Sequence, residues 1–283
     1  MSYVFATDLD GTLFYPKKRF GMIDKKNIAF LRHIKEDGGR VVLVSSRSIG
    51  FLDKVSKKLG FEVDYIGTDG TAVVADGKRI RDEFFESSAL KALVTDLRTN
   101  YDPPLFIASS HEHPLILTRT QVSHMTNFMY VLYQAVQGVY REKWVRSDHV
   151  FFREIENGKV HKLMVLIGLT KKKRLRSYQI TQELQKKYPD FEFVWLDQFI
   201  EITPKGCSKA SGLEFYLDSL GLNRDNVVVV GDSGNDVPML DAFKGHSYAM
   251  KHAPEKVKEH ASGVVSRVYE IEEILYPSAD KRK

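Results

Sequence analysis

The stretch YVFATDLDGTLF, residues 3–14, decides how the rest of the chain is interpreted. It begins as an apolar run that suits a buried strand and then continues into Asp8 and Asp10, one residue apart. Two carboxylates this close repel each other, and burying either is unfavourable unless a positive charge lies between them. The stretch therefore predicts a strand that ends at a cation site, with a divalent ion as the simplest occupant.

The composition indicates a soluble globular protein. The chain has 283 residues, of which 43% are hydrophobic and 28% charged, and this length allows one large α/β domain or two smaller ones. Its 42 basic and 37 acidic residues are interspersed, so the net charge of +5 favours anionic substrates and does not indicate a nucleic-acid footprint. A single cysteine, Cys207, excludes an internal disulfide. With neither an apolar span nor a secretory signal visible, we expect a cytoplasmic protein without membrane contact.

The first and last thirds of the chain alternate between strand and helix patterns. Continuous apolar runs such as RVVLV (residues 40–44) and VVVVG (residues 227–231) are separated by segments with apolar residues at helical spacing. Continuous apolar strands joined by helices indicate a parallel sheet that is covered on both faces. These thirds predict one domain, made of residues 1–85 and 198–283.

The middle of the chain, residues 86–197, follows a different pattern and predicts an inserted α/β domain. PLFIASS and PLILT are separated by HEH (residues 111–113), which favours an exposed hairpin loop over a metal site. HVFFREIE and KVHKLMVLIGL are joined by Asn157-Gly158, a dipeptide typical of a second hairpin. The remaining segments predict a long helix over residues 120–138, a charged helix ending at Tyr188 and the strand FEFVWLD.

Three predicted strands of the first domain end in oxygen-rich residues. The first ends at Asp8 and Asp10, the second at Ser45, and the third at Asp232 with Asp236 four residues on. Ligands of an open parallel sheet bind outside the carboxyl ends of its strands, so these segments are expected to meet. Converging carboxylates form an oxygen-only site that suits Mg²⁺ and phosphate substrates.

The same segments resemble the motifs of a known superfamily. DLDGTL (residues 8–13), Ser45, Lys209 and GDSGND (residues 231–236) are similar, in order and spacing, to the four motifs of the haloacid dehalogenase superfamily of phosphohydrolases. The segment EITPKGCSKASGL resembles the Cof-like subfamily, which carries a large α/β cap of type IIB. The resemblance implies a doubly wound, Rossmann-like core with an inserted cap domain.

The resemblance also implies catalytic roles. Asp8 corresponds to the nucleophile that forms an aspartyl-phosphate, and Asp10 to the group that protonates the leaving oxygen and then deprotonates water. Ser45 would donate to a phosphoryl oxygen. Lys209, at the start of a helix whose dipole also favours an anion, would supply a point charge.

The same motifs imply a set of metal ligands. The Mg²⁺ ligands implied are Asp8, the backbone carbonyl of Asp10, Asp232 and, as an outer ligand, Asp236.

The remaining positions keep two interpretations each. The subfamily usually has Thr-Gly-Arg where this chain has Ser45-Ser46-Arg47, so Ser46 narrows the phosphate pocket and Arg47 either contacts substrate or does not. Asn235 is a helix cap, a phosphate ligand or both. Asp69 either faces the pocket or simply precedes a glycine in a turn.

The function expected from this resemblance is Mg²⁺-dependent hydrolysis of a small phosphorylated metabolite, most simply a sugar phosphate. Two alternatives stay open: a sensor that binds a phosphometabolite without turnover, and a phosphotransferase that uses an alcohol as the acceptor. A sensor has no need of Asp10, so the intact motifs favour an enzyme. No nucleic-acid or membrane partner is expected, and the chain is expected to be a monomer or a weak homodimer.

Overall fold

The chain forms two β-sheets, each with its own hydrophobic core. A computed structural model describes residues 3–16, 23–118, 143–168 and 170–277. The strands are β1 Val4–Asp8, β2 Arg40–Val44, β3 Asp64–Gly67, β4 Ala72–Ala75, β5 Lys78–Asp82, β6 Leu105–Ser110, β7 Leu115–Leu117, β8 Trp144–Arg146, β9 Val160–Leu166, β10 Phe191–Leu196, β11 Phe199–Pro204, β12 Val227–Gly231, β13 Ser247–Met250 and β14 Gly263–Val265.

The helices alternate with these strands. They are α1 Lys25–Glu36, α2 Leu52–Leu59, α3 Ser87–Asn100, α4 Asp148–Glu156, α5 Lys171–Lys187, α6 Lys209–Leu220, α7 Val237–Ala242, α8 Glu255–Lys258 and α9 Glu272–Leu275. Among the described residues, none of the helices combines the length and the apolar character that crossing a membrane requires.

The first sheet is doubly wound around β1, as the sequence predicts. Its strand order is β14-β13-β12-β1-β2-β3-β4-β5, and the strands run parallel from β14 to β3. An antiparallel hairpin, β4 and β5, extends one edge. The chain leaves β1 toward β2 on one side and returns through β12 on the other, so the order of strands reverses between β1 and β12. This reversal opens a crevice at the carboxyl ends of both strands, which is where ligands of such sheets bind.

Both faces of this sheet are buried, because successive strand residues point to opposite sides. Phe5 packs into the layer formed with α1, where its ring lies edge-on to Phe30 with centroids 5.0 Å apart. The next residue, Ala6, faces the opposite layer with Leu213 and Leu217 of α6. Burying a large apolar side chain of this kind contributes about 1.5–3 kcal/mol. The predicted sheet, covered on both faces, is confirmed.

The second sheet is largely antiparallel, with the order β10-β11-β9-β6-β7-β8 among the described residues. Strands β6 and β7 form the predicted hairpin around residues 111–113. Helix α5 and strand β10 match the charged helix and the strand predicted before and after Tyr188. The helix predicted over residues 120–138 lies outside the described residues.

The predicted hairpin around Asn157-Gly158 is wrong in its first half. Residues 148–156 form the helix α4, capped by the Ser147 hydroxyl, which accepts a hydrogen bond from the Val150 amide at 3.3 Å. Phe151 and Ile155, four residues apart, face the core of the second sheet. Asn157-Gly158 therefore ends a helix, with Gly158 at φ +61°, because this dipeptide serves a helix C-terminus as readily as a hairpin.

The second crossing between the sheets lies further along the chain than residue 197. Strand β11 pairs with β10 and β9, so residues up to Pro204 belong to the second sheet. The first crossing follows β5, near residue 84. Residues 197 and 198, where the sequence places the boundary, lie in the turn between β10 and β11. Both strands of this hairpin have a strand-like sequence, and that pattern does not indicate to which sheet a strand belongs.

Helix α6 is positioned by a close contact at Gly70, which follows the end of β3. Gly70 has φ +90°, and a β-carbon built on it would overlap the backbone carbonyl of Ser208 at the start of α6. Gly77, in the turn between β4 and β5, has a similar φ of +71° but open space around it. A residue with a β-carbon would be strained by the backbone conformation at either position, but it would clash with a neighbouring segment only at position 70. Comparing the same substitution at both positions therefore separates the two destabilising effects.

We expect Gly77→Ala to lower the free energy of unfolding by about 1–2 kcal/mol, since only the left-handed conformation is strained. Gly70→Ala should cost roughly 2 kcal/mol more, because α6 must move away from the turn. Denaturant unfolding of both variants measures the difference. Equal losses would show that α6 is not held at this position by close packing.

Candidate active site

The first predicted carboxylate pair lies at the end of β1, at the crevice between β1 and β12. Asp8 is 4% exposed, whereas Asp10 lies on the exposed turn that follows. The chain turns at Gly11, whose φ is +88°, and a β-carbon at that position would overlap the Asp232 carboxylate. Glycine is therefore required twice over: for the turn and for the approach of Asp232.

Lys209 lies at the centre of the site and is almost fully buried. Its Nζ donates to Asp8 Oδ1 and to Asp236 Oδ1, both at 2.7 Å, and to Asn235 Oδ1 at 3.2 Å. Burial opposes the charged ammonium, but the facing carboxylates of Asp236 and Asp8 outweigh it and hold the pKa of Lys209 well above its ordinary value. One cation thus joins the ends of β1 and β12 to the first turn of α6.

Asp236 acts on the backbone as well as on Lys209. Its Oδ2 accepts hydrogen bonds from the amides of Asp232 and Ser233, both at 2.9 Å, and its side chain is fully buried. With Oδ1 bonded to Lys209, both carboxylate oxygens already have strong partners. Asp236 therefore suits the outer position expected for it, behind the groups that could contact a metal.

Asp232 and Asp8 are the carboxylates with room for a further positive charge. Oδ1 of Asp232 accepts from the Thr12 hydroxyl at 2.8 Å, and Oδ2 lies 3.7 Å from Nε2 of His252. Burial, reinforced by the charge of Asp236, raises the pKa of Asp232, and burial likewise raises the pKa of Asp8 well above its ordinary value. Three carboxylates therefore carry more negative charge than one lysine offsets.

This donor set fits a hard divalent cation. Asp8, Asp232 and Asp236 each offer an oxygen within 4.8 Å of the others, and all of the donors are carboxylates. Burial raises the pKa values of Asp8 and Asp232, and the charge of Asp236 adds to the effect. A cation held between Asp8 and Asp232 would offset both contributions. The backbone carbonyl of Asp10 lies on the same turn.

The end of β2 contributes a hydroxyl. The Ser45 amide donates to the Ile66 carbonyl at 2.8 Å, and Ser45 Oγ accepts from the Arg47 amide at 3.1 Å. That hydroxyl keeps its own hydrogen available for an anion. Ser46 contributes its backbone carbonyl, which accepts from Lys162 Nζ at 3.0 Å.

Arg47 contacts Asp10. Its Nε and Nη2 donate to the two oxygens of that carboxylate at 2.6 and 2.9 Å, and its guanidinium lies 4.6 Å above the ring of Phe51. This two-point contact fixes the orientation of Asp10. The sequence left open what Arg47 contacts, and in this structure it is the expected acid/base residue.

A second buried lysine, Lys162 of β9, enters the site from the second sheet. Its Nζ donates to Glu201 Oε1 at 2.6 Å and to Asp69 Oδ2 at 2.8 Å. Burial opposes its charge, but these two carboxylates outweigh it and raise the pKa of Lys162. The Asn235 amide donates to Asp69 Oδ1 at 3.2 Å and lies 3.4 Å from Glu201 Oε2, so it links this lysine to Lys209.

Sequence reasoning missed Lys162 and Glu201, although each carries a signal. Both lie inside strand-like apolar runs, in KVHKLMVL and FIEIT, where a charged residue is costly unless it has a buried partner. The sequence left open whether Asp69 faces the pocket or only precedes a glycine in a turn. In the structure its side chain is buried and accepts a hydrogen bond from Lys162. Asn235 does not cap a helix: it lies inside the helical turn Gly234–Asp236, whose cap is Ser233. Its amide instead joins the two buried lysine clusters.

Residues 5–272 match the family described as haloacid dehalogenase-like hydrolases. Among curated relatives, the 5-amino-6-(5-phospho-D-ribitylamino)uracil phosphatase YcsE of Bacillus subtilis is 26% identical over 263 residues, covering 91% of this chain and 87% of the relative.

Solved structures agree in fold. SMU.1108c from Streptococcus mutans UA159 superposes with a TM-score of 0.79 at 21% identity, covering 98% of this chain and all of that one. The subclass IIB sugar phosphatase BT4131 superposes with a TM-score of 0.73 at 19% identity, covering 96% of this chain and 98% of that one. At these identities the likeness concerns the fold.

Replacing Asp232 by Asn tests whether the cluster of Asp8, Asp232 and Asp236 carries excess negative charge. A carboxyl whose pKa is raised by folding destabilises the native state above that pKa and has no such effect below its unfolded pKa. In metal-free protein, Asp232→Asn should therefore raise the melting temperature at pH 8, with a gain that shrinks as the pH falls toward 4. The Asn oxygen can still accept the hydrogen bond from Thr12.

The exposed Asp190→Asn is the control and should shift the melting temperature little at any pH. Mg²⁺ should stabilise the wild-type protein and should stabilise Asp232→Asn much less. A loss of stability in Asp232→Asn at pH 8 without metal would contradict this description of the cluster.

Lys162→Met tests the link between the two sheets. Removing one partner of a buried ion pair costs about 3–5 kcal/mol, because the remaining charges are left uncompensated. The double variant Lys162→Met, Glu201→Gln should lose less than the sum of the two single losses. Denaturant unfolding of the four proteins in this cycle measures the coupling, and additive losses would show that Lys162 and Glu201 act independently.

Proposed function

Because this chain belongs to the haloacid dehalogenase-like hydrolase family, we propose that it is a Mg²⁺-dependent phosphomonoesterase that forms an aspartyl-phosphate on Asp8. The observation that carries this proposal is the contact of Asp8 with Lys209 at the carboxyl end of β1, beside Asp232 and the Ser45 hydroxyl. The superfamily, the fold class and the phosphatase class of enzyme expected from the sequence are confirmed by the comparisons.

The proposed first step uses the oxygen of Asp8 that Lys209 leaves available. Lys209 binds Oδ1 and orients the carboxylate, whereas Oδ2 makes no hydrogen bond with any described residue. Oδ2 attacks phosphorus, the bond from phosphorus to the ester oxygen breaks, and Asp10 gives its proton to that oxygen. Ser45 supplies a hydroxyl donor that helps to hold the phosphoryl oxygens in line with Oδ2. Lys209, whose three N–H groups bind Asp8, Asn235 and Asp236, supplies its positive charge.

The second step returns the enzyme to its starting state. Asp10 removes a proton from water, the water oxygen attacks phosphorus, and the bond from phosphorus to Asp8 Oδ2 breaks to release phosphate. Between turnovers Asp10 returns this proton to solvent, and Arg47 binds both of its oxygens. When substrate binds, we propose that Arg47 turns its guanidinium to the phosphoryl oxygens, and Asp10 takes from solvent the proton that it gives to the ester oxygen.

The proposed Mg²⁺ site comprises Asp8, Asp232 and the backbone carbonyl of Asp10, with Asp236 behind them. A bound ion would neutralise Asp8 and the phosphoryl group so that two anions can approach. The excess negative charge of the cluster supports this role, and the all-oxygen donor set supports Mg²⁺.

We propose a small phosphorylated metabolite, with a sugar phosphate as the first class to test. Two comparisons support this choice: BT4131 is described as a sugar phosphatase, and the substrate named for YcsE carries a phosphorylated ribityl chain. The second sheet, proposed as a cap over residues 84–204, would contact the leaving group. A cytoplasmic location and a monomeric or weakly dimeric state belong to the same proposal.

The cap takes part in more than leaving-group recognition. Lys162 and Glu201 come from its strands and bind Asp69 and Asn235 of the core. Deleting the cap would leave these core groups without their charged partners. We therefore do not expect a core without the cap to keep its chemistry and to lose only its specificity.

Asp8→Asn should abolish turnover while the protein still folds, because the variant keeps the shape and loses the attacking charge. Phosphate release from a panel of phosphorylated sugars in Mg²⁺ measures the loss, which should exceed about a thousandfold. Asp190→Asn is the matched control and should keep full activity.

Activity of folded Asp8→Asn within tenfold of the wild type would exclude the proposed nucleophile. Adding an acceptor alcohol to the same assay separates hydrolysis from phosphotransfer, since a phosphotransferase forms a new phosphate ester at the expense of free phosphate.

A further inference from the structure

A second group of metal-ligating side chains lies between the two sheets, apart from the carboxylate site. Asp82 ends β5, His111 lies in the loop between β6 and β7, and His161 lies in β9. Each offers a ligand atom within 4.8 Å of the other two. Asp82 Oδ1 is 3.1 Å from His161 Nε2, and Asp82 Oδ2 is 3.0 Å from His111 Nδ1.

His161 is held in the orientation that a metal ligand requires. Its Nδ1 lies 2.8 Å from the backbone carbonyl of Glu83 and donates to it, which leaves the lone pair on Nε2. The side chain is 4% exposed, and the ring stacks on Phe84 with centroids 4.4 Å apart. Burial lowers the pKa of His161, which favours the neutral ring. Metal-bound histidines usually donate their second nitrogen to a carbonyl or carboxylate in this way.

The oxygen of Asp82 that faces this ring has no hydrogen-bond partner among the described residues. Asp82 Oδ1 is buried and lies 3.1 Å from His161 Nε2, which carries a lone pair when Nδ1 donates to the Glu83 carbonyl. In a tetrahedral zinc site, with bonds of about 2.0–2.1 Å, neighbouring ligand atoms lie about 3.3 Å apart and point at the ion. The spacing here matches two ligands of one ion, and neither atom has a proton to donate to the other.

Arg79 already places a positive charge at this point. Its Nη1 donates to Asp82 Oδ2 at 2.7 Å and also contacts His111 Nδ1. The Arg79 side chain is 31% exposed, so its guanidinium can turn outward. The site therefore attracts cations, and Arg79 is an internal competitor for it.

A cleft of about 290 Å³ opens beside this cluster. It is lined by His111 and His161 from the second sheet and by Ser48, Asp53 and Arg79 from the first. Two imidazoles and one carboxylate leave a fourth position open to water or a small ligand from this cleft.

We propose that Asp82, His111 and His161 form a second metal site, for a borderline transition ion such as Zn²⁺. Imidazole ligands favour such ions, whereas the all-carboxylate site at Asp8 favours a hard ion, so the two sites select different metals. Binding displaces Arg79 and ties the end of β5 to strand β9 and to the loop between β6 and β7. The ion therefore stabilises the observed position of one sheet against the other.

The test uses Co²⁺ as a visible probe of the metal-free protein in excess Mg²⁺, which occupies the carboxylate site. One Co²⁺ per chain should bind and give the intense visible absorption of a four-coordinate ion, and Zn²⁺ should displace it. His111→Ala and His161→Ala should each weaken binding at least about tenfold. Arg79→Gln should strengthen binding several-fold, because the competing cation is removed.

His113→Ala is the matched control, since His113 lies in the same loop and faces a different group, Glu112 and Glu154. It should leave Co²⁺ affinity unchanged. His111 and Arg79 are partly exposed, so His111→Ala and Arg79→Gln are expected to fold. These two variants test the site even if His161→Ala fails to fold. The proposal is wrong if Co²⁺ does not bind, if binding survives both histidine variants, if it is lost in His113→Ala instead, or if Arg79→Gln weakens it.

Discussion

The ammonium of Lys209, shared at 2.7 Å between Asp8 and Asp236, is the contact on which the site depends. Its three residues come from the end of β1, the first turn of α6 and the segment after β12, so one buried cation fixes three parts of the core. Asp236 extends this order to the backbone by accepting from the Asp232 amide. Asp232, the most exposed carboxylate of the cluster, is thus positioned by Asp236, whose two oxygens already have hydrogen-bond partners.

A second lysine repeats the arrangement between the sheets. Lys162 is also shared by two buried carboxylates, Asp69 and Glu201, and Asn235 bonds to both lysine clusters. The position of the second sheet is therefore coupled to the charge on the expected nucleophile. A buried ion pair of this kind adds little net stability, but it strongly penalises arrangements that separate its members. Specific docking of the second sheet follows from that penalty.

The sequence predicts the core and the meeting of the strand-end carboxylates well, because both depend on local patterns. Apolar strands that end in Asp8, Ser45 and Asp232 place those residues at one edge of a parallel sheet whatever the loops do. The helix at residues 148–156 was mistaken for a strand, since Asn157-Gly158 fits either structure. Contacts between distant segments were not predictable: the pairing of Arg47 with Asp10 and the entry of Lys162 depend on how two elements meet in space. Lys162 has one local signal, a charged residue within an apolar run.

Direct detection of a phosphoryl group on Asp8 tests the central claim of this account. The enzyme, mixed with acetyl phosphate and Mg²⁺ and quenched in acid within a single turnover, is digested and its peptides are analysed by mass spectrometry. The account predicts a phosphoryl adduct on Asp8 within the peptide containing residues 3–14, which disappears when the quench is delayed. An adduct on another residue, or turnover without any adduct at the shortest times, would contradict it.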